Sequence, residues 1–193
     1  MTCIVGLVNN ETGKVYMGAD AAGVGGSYNH MTTKEPKVFI NEKFIIGYTT
    51  SFRMGQLLQY SLKVPKQKKS QRDYEFMCTT FIETVIKCFK DNEYARTKDS
   101  AVSGGNFLVG YKKRLYEVQN EFSVMSNSLP YDAVGCGADF ALGAIHSSIM
   151  NEEENINFTG GKRIKPEGHV LHALETAAVF SAGVSGPFTI LKL

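Results

Sequence analysis

The opening stretch Met1-Thr2-Cys3-Ile4-Val5-Gly6-Leu7-Val8 decides how the rest of the chain is read. From Thr2 to Val8 it is rich in β-branched and apolar residues, which predicts a strand beginning almost at the first residue. Asn9-Asn10-Glu11-Thr12-Gly13 carries turn chemistry, and Lys14-Val15-Tyr16-Met17-Gly18-Ala19-Asp20 resumes the extended pattern, so the two runs form a hairpin. A hairpin turning near residues 10–13 folds residue 20 back beside residue 2.

Working outward, Ala21 to Ser27 reads as a Gly-rich loop. A second strand pair follows, Lys37 to Ile40 and Phe44 to Tyr48, turned by Asn41-Glu42-Lys43. The small residues Thr49-Thr50-Ser51 lead into a helix over Phe52 to Leu62, with Met54, Leu57, Leu58 and Leu62 near helical spacing. Val64 to Arg72 is basic and reads as a solvated connector more readily than as a contact for an acidic partner. Tyr74 to Lys90 is an amphipathic helix with Phe76, Met77, Phe81, Val85, Ile86 and Phe89 on its apolar face. A β-rich block spans Asn106 to Gly110 and Arg114 to Val118, turned at residues 111–113. Gly135-Cys136-Gly137 introduces a helix from Ala138 to Met150, and the acidic stretch Asn151 to Asn157 reads as a loop. Pro166 to Val179 is helical with proline near its first turn, and Phe188 to Leu193 is a terminal strand. Paired strands alternating with paired helices predict an α+β sandwich of antiparallel sheets covered by helices, and argue against βαβ units. Without a repeat or linker, residues 1–193 read as one domain.

Composition narrows the function. The chain has 193 residues, 43% of them hydrophobic, and 21 Lys+Arg against 19 Asp+Glu give a formal charge of +2. That balance lacks the strong net positive charge of a nucleic-acid binder. No apolar run approaches the ~20 residues of a membrane span, and no charged-then-apolar leader opens the chain, so a cytoplasmic protein is expected. The cysteines Cys3, Cys78, Cys88 and Cys136 have no Cys-x-x-Cys spacing, which favours free thiols over a zinc or redox motif. Asn157-Phe158-Thr159 fits a glycosylation acceptor only on paper. Gly18 to Gly26 lacks a phosphate-loop pattern, and His169 with His172 lacks a third ligand, so neither a cofactor nor a metal is implied. Cys136 as a nucleophile would need a nearby histidine, and His146 lies ten residues along the same expected helix.

One constellation does carry chemistry. Exposed by loss of Met1, Thr2 would hold a hydroxyl nucleophile and an α-amine in one residue, and an α-amine titrates at about 7.7–8, close enough to neutrality to serve as a general base. A strand starting at Thr2 holds that terminus in a sheet. Asp20 ends the paired strand, and Lys37 opens the third. A lysine ammonium near the Thr2 hydroxyl would lower its pKa, and a buried Asp20 carboxylate would keep the lysine charged.

These residues, with Met1 to Gly6, Gly18-Ala19-Asp20, Lys37-Val38, Ile46-Gly47-Tyr48, Gly135-Cys136-Gly137 and Thr189-Ile190, together resemble proteasome β-type subunits, and most closely the bacterial HslV peptidases. The likeness runs in order along nearly the whole chain. It implies an N-terminal-nucleophile hydrolase with a four-layer α-β-β-α sandwich, Thr2 as nucleophile, Asp20 as the buried carboxylate and Lys37 as the lysine that tunes the hydroxyl. Thr50 and Ser51 stand where the family places glycines that form the oxyanion hole, and Val24 where it places a threonine in the loop that pairs with substrate. Cys136 replaces a serine near the terminal amine, and Val179, with Ser181 nearby, falls where an aspartate steadies that amine. The resemblance further implies a homo-oligomeric ring, a peptide or unfolded protein as substrate and a separate AAA+ unfoldase, since the chain has no ATPase motif. Two other readings stay open at this point: a catalytically silent ring acting as a scaffold or binding protein, and an amidase of the same hydrolase class.

Overall fold

In a computed structural model, the described residues are 1–24, 30–94, 96–98, 101–159 and 162–193. In chain order they form β1 (Cys3–Val8), β2 (Val15–Ala19), β3 (Ala22–Val24), β4 (His30–Thr32), β5 (Val38–Asn41) and β6 (Phe44–Tyr48). Then come α1 (Phe52–Gln56), which winds on as a π-helix over Leu57–Ser61, α2 (Asp73–Phe76), a second π segment Met77–Phe81, and α3 (Ile82–Asp91). The second half holds β7 (Arg96–Lys98), β8 (Ala101–Ser103), β9 (Phe107–Tyr111), β10 (Arg114–Val118), β11 (Val124–Met125), β12 (Tyr131–Gly135), α4 (Ala138–Thr159), α5 (Pro166–Phe180) and β13 (Thr189–Lys192).

Two antiparallel sheets stand at the centre, one in the order β12-β1-β2-β13 and the other β11-β10-β9-β6-β5. The period of two along β1 assigns its side chains to two layers. Ile4 and Val8 meet Val15, Met17, Val38, Ile45, Leu108 and Leu115 between the sheets. Cys3, Val5 and Leu7 turn the other way, onto Ala141 and Ile145 of α4 and Val170, Ala173 and Leu174 of α5. On the far side of the second sheet, Phe44, Ile46, Phe107, Val109 and Tyr116 are covered by Met54, Leu57, Phe76, Phe81 and Phe89 from α1 through α3. The result is the expected α-β-β-α sandwich. The sheets approach closely where Gly47 crosses Ile4: a Cβ on Gly47 would lie 2.4 Å from the Ile4 side chain.

Some expectations differ from the structure. The acidic stretch 151–157 is not a loop, because α4 continues to Thr159. Its glutamates are good helix formers, no glycine or proline interrupts it before Gly160, and Glu152 is tied to His169 of α5 at 3.2 Å. The Asn157-Phe158-Thr159 triplet therefore lies in the last turn of a helix. Ala22–Val24, within the expected Gly-rich loop, is a strand paired with His30–Thr32, and residues 25–27 of that loop lie outside the described residues. Strand β12 has no counterpart in the sequence reading. Among the described residues, no helix is long and apolar enough to cross a membrane.

Candidate active site

Sheet register builds the site. Strand β1 is flanked on both sides, with Cys3 opposite Gly135 of β12 and Ile4 opposite Ala19 of β2. Continuing those registers by one residue sets Cys136 opposite Thr2 and Asp20 opposite Cys3. Backbone bonds carry the pairing that far: Gly137 N–H donates to the Thr2 carbonyl at 3.4 Å and Asp20 N–H to the Cys3 carbonyl at 3.3 Å. Gly135 makes this approach feasible. Its φ is +105°, and a Cβ there would sit 2.2 Å from the Thr2 carbonyl oxygen.

From the second sheet, Lys37 stands just ahead of β5, its carbonyl accepting from Tyr48 N–H at 3.0 Å. Its Nζ lies 3.0 Å from both carboxylate oxygens of Asp20, 2.6 Å from the Ala22 carbonyl and 3.1 Å from the Thr2 hydroxyl. Asp20 accepts in turn from Cys3 N–H at 2.9 Å and Ala22 N–H at 2.8 Å. Lys37 is 1% and Asp20 2% exposed, so both charges are removed from water. Such a pair is tolerated only when its remaining hydrogen-bonding capacity is met, and here every carboxylate oxygen and the ammonium are engaged. Burial pulls the Lys37 ammonium below the usual lysine range, with Asp20 opposing the shift.

Cys3 feels the same environment. Burial, reinforced by the charge of Asp20, pushes its thiol from 9.0 up to about 12. A folded-state pKa above the unfolded one gives stability that is full below pH 9 and lost as the pH rises toward about 12. Wild-type protein is therefore expected to lose stability steeply across that window in denaturant titrations. A Cys3→Ala variant, less stable at neutral pH, should show a shallower alkaline decline; an equal slope would remove Cys3 as its source.

The other side of Thr2 is sulfur-lined. Thr2 N–H points at Cys136 Sγ at 3.3 Å, and the Cys136 thiol lies 3.5 Å from both the Thr2 carbonyl and the Ser181 hydroxyl. The Thr2 hydroxyl also contacts the Met1 carbonyl oxygen. Val179 does not take part. It is 76% exposed near the end of α5, and Ser181, two residues on, is the residue that reaches Cys136.

Thr50 and Ser51 border a cleft of about 100 Å³ in front of Thr2, whose walls include Val24, Tyr48 and Phe52. Thr49 fixes the turn through its N–H and hydroxyl to the Asn106 carbonyl at 3.1 and 2.8 Å. Ser51 N–H is committed to the Thr49 carbonyl at 2.6 Å, and the Ser51 hydroxyl caps α1 through Met54 N–H. Thr50 takes a left-handed φ of +61°, a strained conformation for a β-branched residue. Its hydroxyl accepts from Asn106 N–H at 3.2 Å, helping to hold it there. Tyr48 and Phe52, in edge-to-face contact at 6.2 Å, and the Ala22 carbonyl were not singled out by sequence. Their places around the cleft follow from cross-strand register, which no local motif marks. Among the described residues, no group of three or more His, Cys, Asp or Glu is placed to hold a metal ion.

No protein-family model matches the chain, and no curated protein matches it. Solved structures do. BPH of Thiobacillus denitrificans in complex with epoxomicin superposes with a TM-score of 0.74 at 15% identity, over 100% of this chain and 98% of its own. HslV of Trypanosoma brucei gives 0.66 at 14% identity, over 100% and 99%. A Gly-1 mutant of Anbu from Hyphomicrobium sp. strain MC1 gives 0.60 at 12% identity, over 98% and 80%. Full-length agreement of this kind, on the α-β-β-α layers described above, shows that the chain has the proteasome-like N-terminal-nucleophile hydrolase fold.

Proposed function

We propose that this chain is a subunit of a proteasome-like ring and that Thr2, freed by removal of Met1, is the nucleophile of a threonine-type peptidase. The observation that carries this reading is Lys37, whose buried Nζ touches the Asp20 carboxylate and the Thr2 hydroxyl together. In the proposed reaction the free Thr2 amine accepts the hydroxyl proton as Oγ attacks a peptide carbonyl. The Lys37 ammonium stabilises the developing alkoxide, and Asp20 keeps that ammonium charged. The oxyanion is assigned to the N–H of Thr50, because Ser51 N–H is already spent inside the turn. Collapse to an ester expels the amine product, which takes its proton from the Thr2 ammonium. Water, activated by the same amine, then hydrolyses the ester and restores the hydroxyl. Cys136 and Ser181 position the amine, and Val24 flanks the bound chain.

A ring of identical subunits fits the outer face of α4 and α5. Phe140 and Phe180 stack there at 5.5 Å while 42% and 65% exposed, an apolar surface that association would cover. The substrate of such an assembly is a peptide or unfolded chain, and a separate unfoldase would deliver folded proteins.

The test is hydrolysis of a fluorogenic peptide by wild type and by Thr2→Ala. The variant is expected to lose turnover by on the order of a thousandfold or more while its stability changes by about 1 kcal/mol. Equal turnover would refute the assignment, and absence of turnover in wild-type protein lacking Met1 would favour a silent ring.

A further inference from the structure

Away from Thr2, the connector between α1 and α2 builds a groove. Residues 63–72 hold five cations, Lys63, Lys66, Lys68, Lys69 and Arg72, and no acid, in a chain whose formal charge is only +2. A solvated connector with that composition would be expected to splay under self-repulsion. Instead Gln67 clasps it. Its side-chain N–H groups donate to the Gln71 carbonyl and to Asp73, each at 2.8 Å, and its oxygen accepts from the Tyr111 hydroxyl at 2.9 Å. The clasp leaves a groove of about 370 Å³ with Lys43, Lys66, Lys68 and Lys69 on its walls and Val64 and Tyr111 among its apolar residues. Among the described residues, none of those four lysines forms an ion pair. Like charges are thus held together, with Glu42 as the one acid lining the groove and no ion pair to these four lysines among the described residues.

We propose that this groove docks an extended acidic polypeptide segment of a partner protein, carboxylates on the lysines and an apolar side chain against Val64. Two features favour a polypeptide over a nucleic acid. The Phe44 and Tyr111 rings stack on each other at 4.4 Å and are both buried, so neither offers a face to a base. The unpaired lysines are gathered in one groove of a nearly neutral chain rather than spread along a broad basic face of the kind that follows a phosphate backbone.

The experiment measures anisotropy of a fluorescein-labelled peptide alternating Glu and Val, with wild-type protein and with Lys66→Glu/Lys68→Glu/Lys69→Glu. These side chains are exposed, so the variant should keep the wild-type circular dichroism. Saturable binding is expected for wild type, weakened about tenfold or more in the variant and falling with added salt. Lys90→Glu, outside the groove, should bind as wild type does. Equal affinity of the triple variant, no binding at low salt, or tighter binding of an oligothymidylate of equal charge would each overturn the proposal.

Discussion

Replacing Lys37 by methionine is expected to cost about 3–5 kcal/mol of stability, because it leaves the Asp20 carboxylate buried without its counter-ion. Domains of this kind have about 5–15 kcal/mol in total, so a fifth or more would be lost. For a chain of this length the unfolding midpoint should fall by on the order of 10 °C. The two backbone N–H groups that Asp20 accepts from soften the penalty without neutralising the charge. Peptide hydrolysis should vanish even at temperatures where the variant remains folded. Wild-type stability in the variant would mean that the ion pair contributes little to the site.

The hairpin of β1 and β2 was legible because its signals are local. Asn9 accepts from the N–H groups of Glu11 and Thr12, and Gly13 takes a φ of +70°, which is what that turn composition supplies. Once the turn is located, Asp20 must return to the beginning of the chain, and Lys37 is found by its position at the head of the next strand. Strand β12 was not legible. Asp132 breaks its apolar pattern while lying buried in the sheet, and its partner β1 is more than a hundred residues away in sequence. The acidic composition of residues 151–157 predicts a loop and so a shorter α4, whereas Glu152 holds the helix against His169. The family resemblance matches Val179 to a role at the amine. The turn after α5 instead directs Ser181 toward Cys136 and leaves Val179 facing solvent. Legibility thus followed distance: what short-range turn chemistry sets could be read, and what cross-sheet register sets could not.

The second large effect is all-or-none and concerns the start of the chain. While Met1 is attached, the Thr2 nitrogen is an amide and has no basic lone pair, so the Lys37–Thr2 contact alone is insufficient for the proposed reaction. Met1 is half-exposed, with its side chain against Gly183, so an aminopeptidase has access to it. After its removal, the hydroxyl and the amine of one residue should both add to a peptide epoxyketone, a reagent that requires those two nucleophiles side by side. The decisive measurement is the mass of the N-terminal proteolytic fragment, taken before and after exposure to that reagent. The fragment is predicted to begin at Thr2 and to gain one equivalent of the reagent, with Thr2→Ala gaining none. A fragment that keeps Met1 and stays unmodified, or an adduct on any other residue, would contradict the account.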